Sequence, residues 1–415
     1  MTKCDVLFAG IVAAALGAPI IGSAQTPAAA DKPPQIGGFD FTGFIDLGYT
    51  HFSTGSGRFI GNTPSPGPAF TFAGPPPHAR VFDFKDGLSL QNIDLQLAKQ
   101  PENGFGGLVD VTVGKDADTI ASYGTIDKER GPGAGVDKKF DLTQAFLQYG
   151  NGPLTLIGGK FATLAGAEVI KSRDNTNFSR SILFGYAIPF THTGVRGTYK
   201  VSDTVSFTVG VNEGWDTIQT KNGGATLELG TTLNPIKEFT LVGSFYTGRE
   251  KILNYNSGTL NVSPTGTRNL LDLVGTYNVN DKLALVLNYD YGSQDGFNAV
   301  VPSLTGSSRA TWQGVAGYVN YTINDAWRLS VRGEYFDDKD GFRSAAQFPP
   351  FGPVVTRGQK WKEATFTAAY TGTKQVELRA ELRFDRSDQN VFLDSNSVTA
   401  GGNQTSIGLE AIYKF

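Results

Sequence analysis

The chain has 415 residues, including 52 Gly, 29 Phe and 15 Tyr but only one Met, and its formal net charge is −3. This richness in small and aromatic residues excludes the usual composition of a helix-rich soluble enzyme, and the lack of a basic excess argues against nucleic-acid binding. Cys4 is the only cysteine, which excludes a disulfide framework and a thiolate metal site.

The N-terminus has the three-part pattern of a secretory signal peptide. Lys3 supplies a positive charge, an uncharged apolar run follows to Ile21, and small residues precede Gln25. We therefore predict a signal peptide over residues 1–24, cleaved after Ala24. Gly17 interrupts the run, which argues against a membrane anchor helix. Residues 25–38 are rich in Pro and Ala and are predicted to form a flexible N-terminal spacer.

From residue 39 to the end, apolar and polar residues alternate with a period of two, and helical spacing does not recur. In one such stretch Leu378 and Leu382 share a face, while Arg379 and Arg383 share the other. The alternation predicts about 16 strands. They lie near residues 39–52, 86–99, 105–115, 140–149, 153–162, 191–201, 204–214, 224–233, 237–249, 267–278, 282–293, 310–322, 326–338, 360–371, 375–386 and 404–415.

The connections between these strands alternate between short and long. The long ones are residues 53–85, 116–139, 163–190, 215–223, 250–266, 294–309, 339–359 and 387–403. This alternation predicts an all-β fold, an antiparallel up-and-down transmembrane barrel with short periplasmic turns and long outer loops. Tyr149 and Tyr413 lie near the short-turn ends, while Tyr291 and Trp361 lie near the long-loop ends. We interpret them as aromatic belts at the two membrane surfaces.

The third long connection, residues 163–190, mixes apolar residues with charges. Its charged residues are Glu168, Lys171, Arg173, Asp174 and Arg180. A loop that projects into water does not need apolar side chains, whereas a loop folded into the barrel can pack them against the wall. We therefore predict that this loop lies in the lumen and that its charges constrict the pore. The alternative is an outer loop packed on its neighbours.

The lumen face of the strands is predicted to carry a set of charged side chains. The candidates are Lys160, Arg196, Lys200, Arg328, Arg332, Glu334, Arg379 and Arg383. Segregated charges across a narrow pore create a field that concentrates ions of one sign. The other interpretation is a set of wall salt bridges with no selective role. The two interpretations are compatible, and the sequence does not show which sign of charge governs the pore.

The chain ends on a strand whose apolar face includes Ile407, Leu409, Tyr413 and Phe415. A C-terminal Phe after alternating apolar residues resembles the assembly signal of bacterial outer-membrane barrels. We assign that signal to Tyr413 and Phe415, with the outer-membrane barrel-assembly machinery as its partner.

Several short stretches also resemble the OmpL-like family of β-barrel porins. They are Phe41–Asp46, Ala145–Tyr149, Gly159–Phe161 with Gly166–Glu168, Asn177–Ser181 and Pro189–Val195. The resemblance extends from about residue 39 to residue 415 and implies a porin in the outer membrane of a Gram-negative bacterium. It implies no particular solute, and it does not include the Pro-rich first loop, residues 53–85.

The sequence therefore predicts a porin with a water-filled channel for passive diffusion of small hydrophilic solutes and ions, embedded in membrane lipid. No catalytic residue, cofactor, metal or nucleic acid is expected. A homotrimer is a hypothesis by analogy with 16-stranded porins. The alternatives are a channel selective for anions or sugars, a barrel with a structural or adhesive role through its outer loops, and a hydrolase that pairs His192 with Ser172, Ser179 or Ser181.

Overall fold

The computed structural model describes residues 32–54, 81–82, 86–122, 139–218, 224–256, 259–296, 309–344, 358–393 and 400–415. The predicted signal peptide, most of the predicted spacer and most of the Pro-rich first loop lie outside these ranges. Within them, no helix has both the length and the apolar character needed to cross a membrane.

Sixteen strands follow one another around a closed barrel. They are β1 (Phe39–Phe52), β2 (Gly87–Lys99), β3 (Asn103–Val113), β4 (Phe140–Asn151), β5 (Leu154–Ala162), β6 (Thr191–Lys200), β7 (Val205–Asn212), β8 (Thr226–Ile236), β9 (Phe239–Asn256), β10 (Thr259–Asn278), β11 (Leu283–Asp295), β12 (Arg309–Asn324), β13 (Trp327–Asp338), β14 (Gln359–Tyr370), β15 (Val376–Ser387) and β16 (Asn403–Lys414). Every strand is antiparallel to its neighbours in sequence.

The barrel closes where β16 pairs with β1. Tyr413 lies opposite Ile45, and Glu410 lies opposite Gly48. Closure gives every strand two hydrogen-bonded neighbours, so no edge is left with unpaired backbone groups in a lipid environment. The predicted 16-stranded antiparallel barrel is confirmed.

The two faces of the barrel wall differ sharply in chemistry. Leu378 and Phe384 are 46% and 43% exposed, whereas Arg379 and Arg383, on the same strand β15, are 2% and 0% exposed. The apolar row faces lipid and the charged row faces the barrel interior, as period-two alternation requires. Trp361 departs from its predicted position in an aromatic belt, because its side chain is fully buried and packs against Phe392.

Several predicted loops contain secondary structure, among them the loop at residues 387–403, where Phe392–Leu393 pairs with Ala400–Gly401. The prediction of a long loop at residues 250–266 is wrong. The β9–β10 ladder continues there, since Asn254 pairs with Asn261 and Asn256 pairs with Thr259. Apolar and polar residues alternate only where one face of a strand meets lipid. Backbone pairing does not need lipid, so β9 and β10 extend beyond the residues at which the alternation ends. The loop after β3 begins with the short helix α1 (Lys115–Ile120), which the sequence interpretation missed.

The barrel interior contains a hydrophobic cluster formed by the wall and the segment between β5 and β6. Leu270, Val286 and Trp312 of the wall belong to the same buried cluster as Leu183 and Phe184 of that segment. Full burial of one such side chain contributes about 1.5–3 kcal/mol. Apolar packing therefore holds one side of the segment against strands β10–β12.

Candidate pore constriction and lumen charges

Residues 163–190 leave the barrel wall after β5 and return to it at β6. The two ends meet, since the backbone N–H of Thr163 donates to the carbonyl oxygen of Phe190 at 3.0 Å. Between them lie a 3-10 turn, Ser172–Asp174, and a single π-helical turn, Leu183–Ala187. Most side chains of the segment are buried. We call residues 163–190 the inner loop, because its contacts are with the inward row of the wall.

Strands β9 and β11 anchor the base of the inner loop. The Tyr246 hydroxyl accepts the backbone N–H of Leu164 at 2.9 Å and lies 3.0 Å from Oγ1 of Thr163. The backbone N–H of Ala167 donates to Oδ1 of Asn288 at 3.3 Å. These side chains give the loop backbone polar partners where it leaves the β-ladder.

Two wall carboxylates accept hydrogen bonds from the middle of the inner loop. Glu334 on β13 accepts the backbone N–H of Ile182 at 2.8 Å and that of Leu183 at 3.2 Å. Glu381 on β15 accepts the backbone N–H of Phe178 at 2.8 Å. An unpaired buried N–H costs free energy comparable to a lost hydrogen bond, so both carboxylates stabilise this course of the chain.

Arg332 joins the inner loop to β13 and β14. Its Nη1 donates to Oε1 of Glu168 at 2.7 Å and to the carbonyl oxygen of Ser179 at 2.6 Å. Its Nε donates to Oε2 of Glu363 at 3.1 Å. The fully buried guanidinium thus binds a loop carboxylate, a loop carbonyl and a wall carboxylate together.

Two arginines of β15 bind the inner loop in the same way. Arg379 donates from Nη2 to the carbonyl oxygen of Asn175 at 2.7 Å, and Arg383 donates from Nη1 to that of Arg180 at 2.7 Å. Arg383 also forms an ion pair with Asp385 at 2.8 Å. Both arginines were predicted to face the lumen, and their donors bind the backbone of the inner loop.

Lys171 connects the inner loop to strands β2 and β3. Its Nζ lies 2.9 Å from Oδ1 of Asp94 on β2 and 3.1 Å from Oδ2 of Asp110 on β3. Arg180 instead turns back on the loop and donates to the carbonyl oxygen of Ile170 at 2.6 Å. The inner loop therefore contacts β2 and β3 as well as β13 to β15.

Arg173 and Asp174 occupy the most accessible part of the inner loop. The Asp174 side chain is 53% exposed and lies 3.6 Å from Nε of Arg173. The Arg173 guanidinium lies 5.2 Å from the ring of Phe44 on β1. Of the five charges predicted for the constriction, these two have the greatest contact with water, while Glu168 and Arg180 are buried.

The other predicted wall cations pair with carboxylates. The pairs are Lys160 with Asp141 at 3.2 Å, Arg196 with Glu228 at 2.7 Å, Lys200 with Asp203 at 2.7 Å and Arg328 with Glu377 at 2.8 Å. Only Arg328 among these four also reaches the inner loop in the described contacts, at the carbonyl oxygen of Thr176. The predicted lumen set is therefore divided between loop anchors and wall ion pairs.

The interpretation of the sequence missed two contributors to the interior. Helix α1 places the carboxylate of Asp116 3.8 Å from Nη2 of Arg180. Its signal was weak: Asp116 and Asp118 in the first turn favour a helix start, and Ala117 and Ile120 are spaced for one buried face. The second contributor is a cluster of arginine and aromatic side chains at the long-loop end. Its members, Arg268, Arg343, Trp215 and Trp312, are far apart in sequence.

The hydrolase alternative finds no support in the contacts of His192. Its Nδ1 lies 3.1 Å from the carbonyl oxygen of Gly214, and its ring stacks on Tyr246 at 4.9 Å. Across the described ranges, no hydrogen bond joins it to the three serines considered. Ser179 Oγ instead accepts from Arg332 at 3.2 Å. A nucleophilic hydroxyl needs a base within hydrogen-bonding distance.

A sequence profile described as "Putative beta-barrel porin-2, OmpL-like" matches residues 38–415. The chain belongs to this family. It is an outer-membrane, multi-pass β-barrel porin that forms a channel for small solutes. A search of curated proteins finds no match.

Solved structures with the same fold are distant in sequence. The trimer form of OmpT from Vibrio cholerae is 10% identical, with a TM-score of 0.55, and the match covers 91% of this chain and 99% of that one. The channel DcaP of Acinetobacter baumannii is 15% identical, with a TM-score of 0.54 and coverage of 91% and 97%. The anion-selective porin of Comamonas acidovorans is 10% identical, with a TM-score of 0.53 and coverage of 91% and 99%. These likenesses concern the fold.

Proposed function

We propose that the porin conducts small hydrophilic solutes and ions passively, without catalysis, and that the inner loop sets the width of its channel. The observation that carries this proposal is the span of the loop. Lys171 binds carboxylates on β2 and β3, while Glu168 binds Arg332 on β13. A segment held at separate points around the wall leaves solutes only the space beside it.

The ion pairs of the wall support a structural role for most lumen charges. Arg332, Arg379 and Arg383 each have a carboxylate partner as well as a loop carbonyl. A paired charge produces a weaker field in the pore than a free one. We therefore infer that conduction depends on these arginines mainly because they position the loop.

The direct test is the conductance of the refolded protein in a planar bilayer under a potassium chloride gradient. We expect discrete steps on the order of a nanosiemens in molar salt. The sign of the reversal potential then identifies the favoured ion. A folded barrel that produces no steps would refute the channel and would favour the structural or adhesive alternative.

We also propose a homotrimer, supported by the trimer form recorded for OmpT. Chemical crosslinking of the purified porin in mild detergent is expected to give a trimer band that persists after boiling in SDS. The control is the same reaction after dilution to a concentration at which collisions between micelles are rare. A monomer band alone at both concentrations would contradict the proposal.

Removal of Phe415 is expected to lower the yield of folded barrel in cells, because the last residue both closes the wall and forms the predicted assembly signal. Its backbone N–H donates to the carbonyl oxygen of Gly43 at 3.0 Å, and its ring lies 6.1 Å from that of Phe41. The folded fraction is read from the heat-dependent gel shift of outer-membrane extracts. Phe105→Ala, which removes a lipid-facing ring near the short turns, is the control. Equal yields for the two variants would contradict the prediction.

A further inference from the structure

Two arginines share one aromatic ring at the long-loop end of the barrel. Arg268 lies in the middle of β10, and Arg343 lies in the connection after β13. Their guanidinium carbons are 4.8 Å and 5.4 Å, respectively, from the ring centroid of Trp215. Like charges so close together raise the free energy of the site unless an anion compensates them.

Arg343 is held by aromatic rings and one loop carbonyl. Its guanidinium carbon is 5.5 Å from the Trp312 ring and 5.9 Å from the Phe342 ring. Its Nε donates to the carbonyl oxygen of Tyr186 in the inner loop. The Trp312 indole is itself fixed, since Nε1 donates to the carbonyl oxygen of Ala187 at 3.0 Å. The orientation of the guanidinium is therefore set by both the wall and the inner loop.

The two carboxylates near Arg343 bind backbone N–H groups and form no ion pair with its guanidinium in the described ranges. Asp338 accepts the backbone N–H groups of Phe342 and Arg343, both at 2.9 Å, and Asp216 accepts that of Phe190 at 2.8 Å. Across the described ranges, Arg343 forms no ion pair, and no hydrogen bond from its Nη1 or Nη2 is found. Cations in protein interiors are ordinarily paired. The terminal nitrogens of Arg343 thus remain as donors for a ligand.

Arg343 remains a cation at neutral pH. Burial and the neighbouring Arg268 lower the pKa of its guanidinium to about 10, which is still well above neutrality. Its side chain is only partly buried, so solutes have access to it. The surrounding rings cover part of the guanidinium, so its terminal nitrogens are the groups that are left to bind.

We propose that Arg343 is the oxyanion-binding residue of an entry site for small carboxylate solutes at the outer mouth, positioned by Trp215, Trp312 and the Tyr186 carbonyl. The proposal rests on the proposed channel, because the site would select what enters it. A carboxylate matches the two terminal nitrogens of a guanidinium in a bidentate pair. Its charge would also offset the repulsion between Arg343 and Arg268.

The probe is acetate, added at constant ionic strength by replacing chloride, with the tryptophan fluorescence of the folded porin in detergent as the readout. We expect a saturable change in the wild type, because Trp215 and Trp312 adjoin the guanidinium. In Arg343→Gln the half-saturating acetate concentration should rise about tenfold or more, as expected for a charge-assisted hydrogen bond. In Arg343→Lys, which keeps the charge but loses the planar fork, the rise should be smaller.

Arg309→Gln is the matched control, because it removes the same charge at the same end of the barrel. Arg309 forms an exposed ion pair with Asp295 at 2.6 Å and lies on the rim. Its acetate response should equal that of the wild type. A wild type that does not distinguish acetate from chloride, or an Arg343→Gln porin with unchanged response, would overturn the proposal. Fluorescence does not require conduction, so absence of conductance steps in the wild type would refute the channel without deciding the site.

Discussion

Replacing residues 163–190 with a two-residue Asn–Gly turn is expected to raise the single-channel conductance roughly twofold or more. The barrel can accept this change because Ala162 and Thr191 are direct partners in the β5–β6 ladder. A two-residue turn of that sequence closes an antiparallel pair without disturbing its register. The shortened chain would leave the lumen of a 16-stranded barrel open to water.

The excision also removes apolar cover from the wall, so some loss of stability is expected. Leu270 and Val286 pack in the cluster that contains Ile182 and Phe184, and they would face water. The heat-dependent gel shift must therefore show a folded barrel before conductance is compared. An excised, folded barrel with the conductance of the wild type would mean that the inner loop does not constrict the pore.

Arg332→Ala is expected to destabilise the porin by about 3 kcal/mol and to release the middle of the inner loop. The change leaves Glu168 and Glu363 buried without the guanidinium that binds both of them. It also removes the donor to the Ser179 carbonyl. Urea unfolding of the porin in lipid vesicles gives the stability change, and increased current noise in single-channel records reports the freed loop.

Arg309→Ala is the matched control for Arg332→Ala. Its ion pair with Asp295 lies on the exposed rim, where water and salt screen the charges, so no measurable change is expected. If the Arg332→Ala porin had the same stability and the same current noise as the Arg309→Ala porin, the anchoring role of Arg332 would be contradicted.

The positions of the strands were predictable because lipid on one side and polar contacts on the other impose a strict alternation. Strand β15 illustrates this, since Leu378 and Leu382 face outward while Arg379 and Arg383 face inward, as predicted. The prediction failed beyond the lipid boundary. The outer parts of β9 and β10 pair through their backbones, and that pairing leaves little trace in the side-chain pattern.

The partners of the inner loop were not predictable from the sequence. Glu168 meets Arg332, and Lys171 meets Asp94, across long sequence separations. The alternation of apolar and polar residues predicted that these wall residues face inward. Which of the many inward charges bind the loop depends on how the loop bends. Trp361 shows the same limit, since its position near a strand end fitted either an aromatic belt or the interior.

The sequence by itself determined the barrel, its strand number and its inward and outward faces, because each strand must meet lipid and the interior separately along its length. Only the tertiary structure decided which charges hold the inner loop and which, among the described residues, form no ion pair. Arg343 illustrates the difference, as nothing in its local sequence marks it as a cation beside Trp215 and Arg268. Closure of the barrel brings distant strands and loops together, and that closure creates the contacts from which function is inferred.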